Sequence, residues 1–310
     1  MMERVVIIAG PTAVGKTKYA IGAAKELGGE IVSADSMQLY KYMDIGSAKP
    51  DKAELSQAPH HLIGEIDPRE PFSAARYQKL AKAAIAGILA RGRLPVISGG
   101  TGLYINSLIY DMDFTAPPAE NGYRAGLFRL AAEKGNAYIH ARLAEKDPDA
   151  AERIHPNNLK RMIRALEVVE NTGRRIMPFD GPIAGTKDYE IDMVCLNRDR
   201  QELYGRINDR VDKIIDKGLV SEVKSLIEMG LGAEDISMKG IGYKEVIAHL
   251  EGEYDIAEAV SLIKRNTRRY AKRQITWFRR YEGVKWFNLS EFKDDSEGMV
   301  TVIRWLNEKK

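Results

Sequence analysis

At 310 residues the chain is long enough for about two domains and for a sizeable core. Its 47 Lys and Arg against 44 Asp and Glu leave a net charge of +3, a mildly basic average surface on which the placement of charge matters more than its sum. One cysteine excludes an intrachain disulfide and a cysteine-rich zinc site and fits a reducing cytosolic compartment, and without an 18-residue apolar run no membrane span is expected.

The N-terminal "MMERVVIIAG" runs straight into a strand, "RVVIIA", so no signal peptide is expected. Next comes "AGPTAVGKT", which fits G-x-x-x-x-G-K-[ST] and lies between that strand and a helix over about Lys16 to Leu27. Small residues let backbone N–H groups converge on phosphate oxygens, the helix N-terminus adds partial positive charge, Lys16 reaches the outer phosphate, and the Thr17 hydroxyl suits Mg²⁺. Residues Gly10, Pro11, Thr12, Ala13, Val14, Gly15, Lys16 and Thr17 therefore form a candidate diphosphate or triphosphate site. Strand "EIVSAD", a helix over about Ala74 to Arg91, strand "LPVIS" and a helix opened by "GGTGLYINSLI" follow. This alternation predicts an α/β fold, a P-loop-containing doubly wound parallel sheet with its ligands at the carboxyl ends of the strands. Three polar clusters fall there: the P-loop, Asp35-Ser36, and the run from Gly99 to Gly102.

Residues 113–188 change character to helices joined by loops rich in Pro, Gly and Asn, which predicts an inserted helical domain in a core formed by 1–112 and 189–310. Within it, Leu159, Met162, Ile163, Leu166 and Val169 form an apolar stripe from which Lys160, Arg161 and Arg164 are absent, and Gly173 is the expected helix stop. "YEIDMVCLN" reads as a strand rejoining the sheet, with Cys195 as core filler, and is followed by the helix "DRQELYGRINDRVDKIIDKG". A long helix over about Ile256 to Tyr281 carries Lys264, Arg265, Arg268, Arg269, Lys272, Arg273, Arg279 and Arg280 on one half and an apolar set on the other. With no acid among them, these bases forgo i,i+4 ion pairs and suit a polyanion. The five histidines show no metal-ligand spacing and are expected to be structural.

A phosphate loop with a basic helix fits a nucleotide or small-molecule kinase, an RNA-dependent NTPase, a noncatalytic RNA-binding module, or a transferase whose donor carries its own diphosphate. A GTPase is disfavoured because N-K-x-D is missing. Here a family resemblance adds to the residues. "GPTAVGKT", "SADSMQLYKYMDIGSAKP", "HHLI", "GGTGLYI", "RIHPNNLKRMIRALEV", "RINDRVD", "GIGYKE" and "RYAKRQITWFRR" resemble, in order, the motifs of the tRNA dimethylallyltransferases, also called tRNA isopentenyltransferases.

The resemblance implies transfer of a dimethylallyl group from dimethylallyl diphosphate to N6 of the adenine beside the anticodon, with Mg²⁺ required. Partners would be the tRNA anticodon stem-loop and dimethylallyl diphosphate, with no membrane, for a cytoplasmic monomer. It places Asp35 as general base, Arg210 and Lys16 on the leaving pyrophosphate, and Arg206 as the alternative arginine. For Arg206 and Arg210 the plain alternative is an ion pair with Asp209 or Asp212; for Asp35, a turn aspartate; for Thr101, a helix cap. Asp35, Ser36, Met37 and Gln38 would meet the extracted base and its neighbours, Thr101 would contact tRNA near the reaction channel, and Arg124, Lys160, Arg161 and Arg164 would contact RNA from the inserted domain. Met37 stands where many relatives carry Arg.

Overall fold

The structure is a computed structural model that describes residues 2–110, 112, 122–173 and 185–309. In chain order it contains β1 (Glu3–Ala9), α1 (Lys16–Leu27), β2 (Gly29–Ala34), α2 (Lys52–Leu55), β3 (His60–His61), α3 (Ala74–Ala90), β4 (Leu94–Gly99) and α4 (Gly102–Ile109). Helices α5 (Tyr123–Lys134), α6 (Asn136–Lys146), α7 (Pro148–Arg153) and α8 (Leu159–Thr172) follow. Then come β5 (Tyr189–Asn197), α9 (Arg200–Asp216), α10 (Leu219–Glu228), α11 (Tyr243–Leu250), α12 (Ile256–Phe278), β6 (Lys285–Asn288) and α13 (Asp295–Asn307).

Two compact units result, one of Met1–Tyr110 with Gly185–Lys310, the other of Asp111–Ala184. The expected boundary at Asp113 lies outside the described residues, while Gly185 to Asp188 group with the sheet through a Gly185–Tyr110 bridge and the Thr186 N–H donating to the Ile109 carbonyl at 2.9 Å.

The first unit is built on six parallel strands in the order β3-β2-β4-β1-β5-β6. A parallel sheet covered on both faces needs strands that are apolar throughout, and β1 shows why "RVVIIA" has no polar alternation. Val5, Ile7 and Ala9 enter the core on one face, Val6 and Ile8 the core on the other. The strand "EIVSAD" stops at Ala34, so Asp35 is the first residue beyond β2, on the rim that carries the P-loop after β1 and Gly99–Thr101 after β4. The long C-terminal helix α12 ends at Phe278, three residues before the expected Tyr281. The two outermost strands, β3 and β6, and the helices α2, α10, α11 and α13 are additions to the expected order of elements. Helix α13 packs on α1 so closely that a Cβ on Gly22 would lie 2.5 Å from the Met299 sulfur.

The second unit contains only helices among its described residues. Leu127, Ile139, Leu143, Met162, Ile163 and Leu166 form its core. Asp147 caps α7 through the Ala150 N–H at 3.0 Å with Pro148 in the first turn, and Gly173 closes α8 with φ 64°, the stop its sequence position announced.

Candidate active site

Helix α1 has Gly15 at its N-cap position and so no side-chain cap, which leaves the first-turn N–H groups directed at the loop above them. The loop's own carbonyls are held from behind: Arg206 Nε donates to the Ala13 oxygen at 3.0 Å and Arg198 Nε to the Val14 oxygen at 3.1 Å. Ala13 is thereby kept in a left-handed conformation, φ 63°. Arg198, 6% exposed, is itself paired with Glu202 at 2.5 Å and with Asp295 of α13 at 2.6 Å.

On the other side, Gln274 of α12 accepts from the Thr12 N–H and donates to the Gly100 carbonyl, both at 2.9 Å, and so ties the loop after β1 to the loop after β4. A Cβ on Gly100 would lie 2.2 Å from the Gln274 amide nitrogen, so only glycine admits this contact.

Two cavities open on this rim. One, of about 520 Å³, is lined by P-loop residues with Lys16 and Thr17 and by Gln38, Arg206, Asp209 and Lys213. The other, of about 450 Å³, has a largely apolar wall that includes Tyr40, Phe72, Tyr104, Val211 and Ile263, with Ser36 and Met37 on its rim. Thr12, Asp35, Arg210 and Ile214 line both. Tyr104 is stacked on Tyr77 with ring centroids 3.9 Å apart, which fixes its position.

At the junction, Asp35 Oδ1 accepts from the Met37 N–H at 2.9 Å and the Gln38 N–H at 3.4 Å. The turn-aspartate arrangement is thus present and uses one carboxylate oxygen. Lys16 Nζ donates to the Pro11 carbonyl at 2.9 Å, and desolvation pulls its pKa down to about 8 against the opposing pull of the Asp35 charge. Burial likewise lowers the pKa of Arg210, which faces the charges of Asp35 and Glu54. Asp212 is taken by Lys264 at 2.6 Å, so the expected alternative of an Asp212 pair for Arg206 or Arg210 is replaced by a pair with α12.

Thr101 occupies the N-cap position of α4 without a side-chain cap bond. Its hydroxyl accepts instead from the Ser36 N–H at 3.0 Å, joining the Asp35 turn to the loop after β4. Burial first and the Asp35 charge second hold the Tyr270 pKa well above the usual tyrosine range. Gln38 accepts from the Ser33 hydroxyl at 3.3 Å and donates to the Ala48 carbonyl at 3.2 Å. Thr17 contributes a single hydroxyl, and among the described residues no group of three or more His, Cys, Asp or Glu could hold a metal. Cys195 is fully buried, and burial raises its thiol pKa far above the ordinary value.

The basic half of α12 is less bare than its sequence suggests, since Lys264 pairs with Asp212 and Arg268 donates to the Asn208 side chain at 2.7 Å, both on α9. Arg265, Arg269, Lys272, Arg273 and Arg279 remain exposed, with Arg273 at the wall of the apolar cavity.

In the helical unit, Arg124 binds Glu167 through two bonds, at 2.7 and 2.5 Å, and Arg164 approaches the same carboxylate at 3.4 Å. Glu167 is 2% exposed, so both arginines neutralise a buried acid in addition to reaching the surface. Lys160 and Arg161 are exposed.

Gln274, Arg198 and Tyr270 were not among the expected site residues. Gln274 had a usable signal: it lies four residues after Tyr270 and three before Trp277, an uncharged polar residue on the apolar side of a helix whose other polar residues are mostly basic.

A family model described as IPP transferase matches residues 38–281. The chain is 54% identical to a tRNA dimethylallyltransferase of Alkaliphilus oremlandii over 98% of its own length and 96% of that protein's. To the tRNA dimethylallyltransferase of Acetivibrio thermocellus it is 50% identical, covering 96% and 95%. Among solved structures, the tRNA isopentenylpyrophosphate transferase of Bacillus halodurans is similar with a TM-score of 0.74 and 43% identity, over 99% of this chain and 96% of that one. A eukaryotic dimethylallyltransferase acting on tRNA is similar with a TM-score of 0.82 and 26% identity, over 97% and 78%.

Proposed function

The chain belongs to the IPP transferase family, and from that premise we propose how it prenylates tRNA. The dimethylallyl group passes from dimethylallyl diphosphate to N6 of the adenine on the 3′ side of the anticodon, position 37, and pyrophosphate leaves. The observation that carries this reading is that Asp35 and Arg210 line both cavities, so one carboxylate and one guanidinium stand where a diphosphate site meets an apolar one.

An exocyclic amine conjugated to a purine is a weak nucleophile and must lose a proton as its bond to carbon forms. Asp35 Oδ1 is occupied by backbone N–H groups, which aims the carboxylate and leaves Oδ2 as the atom that takes the proton. The N6–C1 bond forms, the C1–O bond breaks, and its electron pair departs with the pyrophosphate. The growing negative charge falls on the N–H groups of residues 10 to 17, on Lys16 and on Arg210. Tyr40, Phe72 and Tyr104 shield the allylic carbon from water.

Mg²⁺ fits the donor set, because a single threonine hydroxyl, completed by diphosphate oxygens and water, is the sparse protein ligation this ion accepts. Thr17 would hold it, and its charge would neutralise the diphosphate oxygens.

The adenine must leave its stack to reach Asp35. Ser36, Met37, Gln38 and Thr101 stand around the Asp35 turn to meet it and its neighbours. The exposed bases of α12, together with Lys160, Arg161, Arg124 and Arg164, would contact the RNA backbone of the anticodon stem-loop. Thr101 and Arg210 thus combine a structural bond or a buried charge with a substrate role. Among the described residues no helix is long and apolar enough to cross a membrane. A tRNA substrate suits a cytoplasmic enzyme acting as a monomer.

The test is to incubate the chain with Mg²⁺, labelled dimethylallyl diphosphate and unmodified tRNA, then digest the tRNA to nucleosides. The expected product is labelled N6-dimethylallyladenosine confined to position 37. Stabilisation by ATP but not by dimethylallyl diphosphate, with phosphoryl transfer to an acceptor, would return the site to a kinase.

A further inference from the structure

The segment from Met37 to Lys49, between β2 and α2, separates the two cavities. Met37, Tyr40, Gly46 and Ser47 line the apolar one, Gln38, Ala48 and Lys49 the diphosphate one. Its backbone is not of a kind that holds itself, because Tyr42 and Ala48 are non-glycine residues in the left-handed region, at φ 64° and 45°. Some internal bonds brace it: Lys49 Nζ reaches Asp44 Oδ1 at 2.6 Å, and the Ser47 hydroxyl donates to the Met43 carbonyl.

The external anchor is a carboxylate on α10. Glu222 Oε2 accepts from the N–H groups of Asp44 at 2.8 Å and Ile45 at 2.7 Å, and Oε1 accepts from the Gly46 N–H at 3.0 Å and from the Tyr243 hydroxyl at 2.8 Å. Three successive backbone N–H groups converging on one anion form a nest, here filled by the protein's own side chain. Four donors need two acceptor oxygens, which a carboxylate has and an amide lacks. The segment also sits hard against α10 and α11: a Cβ on Gly46 would lie 2.6 Å from the Tyr243 ring and 2.7 Å from Leu219. Glu222 itself lines neither cavity.

We propose that Glu222 is a positioning residue for prenyl transfer: by clasping the Asp44–Gly46 backbone it sets the wall of the apolar cavity, in which the adenine has to meet the allylic carbon, before substrate arrives. This rests on the proposed function. Gly46 and Ser47 border only the apolar cavity, and Lys49, which borders the other, is already engaged by Asp44 and by the Tyr40 carbonyl. Loosening the clasp therefore affects the meeting of the adenine with the allylic carbon and spares the diphosphate.

The test compares the full-length chain with Glu222→Gln and Tyr243→Phe. Prenyl transfer is measured with tRNA and dimethylallyl diphosphate varied in turn, and pyrophosphate binding with Mg²⁺ by calorimetry. Glu222→Gln is expected to lower kcat/KM for tRNA by about 10-fold or more, as small misplacements of a reacting group do, while the Kd for pyrophosphate stays within about 2-fold. Tyr243→Phe, which removes one donor and keeps the carboxylate, shifts the same constant in the same direction by less, and decides the matter if Glu222→Gln does not fold. An unchanged kcat/KM for tRNA, or a loss of pyrophosphate affinity in equal proportion, overturns the positioning role. Failure of the wild-type chain to prenylate tRNA refutes the function and this role together, whereas normal wild-type transfer with an unaffected variant refutes the role alone.

Discussion

Gln274→Ala removes in one change both bonds that join the P-loop to the loop after β4, leaving the Thr12 N–H and the Gly100 carbonyl without their partner. Gln274 is 5% exposed, so water does not replace the lost bonds freely. Each unsatisfied group costs about 1–3 kcal/mol, a combined loss of roughly 2–6 kcal/mol before any cavity is counted. For a domain of this size that corresponds to a fall in Tm of roughly 5–15 °C. Gln274→Leu restores most of the volume but neither bond, so it separates hydrogen bonding from packing and is expected to melt close to the alanine variant. Thr12 borders both cavities, so the same changes raise KM for dimethylallyl diphosphate, by about 10-fold if the P-loop loses roughly 1.4 kcal/mol of grip. Scanning calorimetry and steady-state kinetics on both variants check this. A leucine variant that melts within about 1 °C of wild type with an unchanged KM would refute the assignment of this residue as the tie between the two loops.

Asp35→Asn keeps the Oδ1 acceptor that holds residues 37 and 38 but lacks the basic oxygen, so kcat is expected to fall by about 10²-fold or more with tRNA affinity nearly unchanged; near-normal turnover in a single-turnover assay removes Asp35 from the base role. Lys16, with a pKa near 8 against 10.5 for the ordinary group, titrates earlier in the folded chain than in the unfolded one. Between those values the unfolded chain binds more protons, so stability rises with pH while affinity for dimethylallyl diphosphate, which needs the ammonium, falls. Parallel melting and binding titrations from pH 7 to about 10 should show the two trends diverge, and Lys16→Met should abolish both. Asp295→Asn removes one of the two acids on Arg198, the brace behind Val14, and is expected to raise KM for dimethylallyl diphosphate about 3- to 10-fold with tRNA affinity unaltered, as measured by filter binding and kinetics. Replacing exposed Arg269 and Lys272 with glutamine should weaken tRNA binding and lower the slope of log affinity against log salt by about 1–2, whereas Arg265→Gln with both retained changes it by no more than about 1.

The strand–turn–helix frame of the P-loop was legible because its signal is contiguous. A strand that must be apolar on both faces, a glycine-rich turn and an uncapped helix start occupy fewer than thirty consecutive positions, and each constrains residue type locally. The place of Asp35 was legible for a related reason, as the first residue beyond a buried parallel strand, at the carboxyl end of the sheet. What holds these parts in place was not legible, because its bonds join side chains to backbone atoms far apart in the sequence. Gln274 meets Thr12 across 262 positions, Arg198 meets Val14 across 184, and Glu222 meets the segment near Gly46 across 176. A backbone N–H or carbonyl carries no residue identity, so such a bond marks only one of its two ends.

The same asymmetry explains the basic helix and the helical unit. Charge spacing fixed which face of α12 is basic, but whether Lys264 and Arg268 meet solvent or α9 depends on how the two helices pack, a contact written on neither alone. In the helical unit a trace was available: Glu167 follows Ile163 by four positions and so falls on the buried stripe of α8, where an acid must find cations. Read that way, Arg124 and Arg164 are the cations it demands, and their surface reach is a second use of side chains whose first is to neutralise Glu167. In the sheet unit the order is reversed: Lys16 and Arg210 face the negative charge of Asp35 without sharing a hydrogen bond with it in the way Arg124 shares one with Glu167, so their donors remain for a ligand of opposite sign. A cation whose donors are committed to a buried acid keeps that acid from being an unpaired charge, and one whose donors face a cavity carries a desolvation cost that Asp35 offsets in part and an arriving anion offsets further.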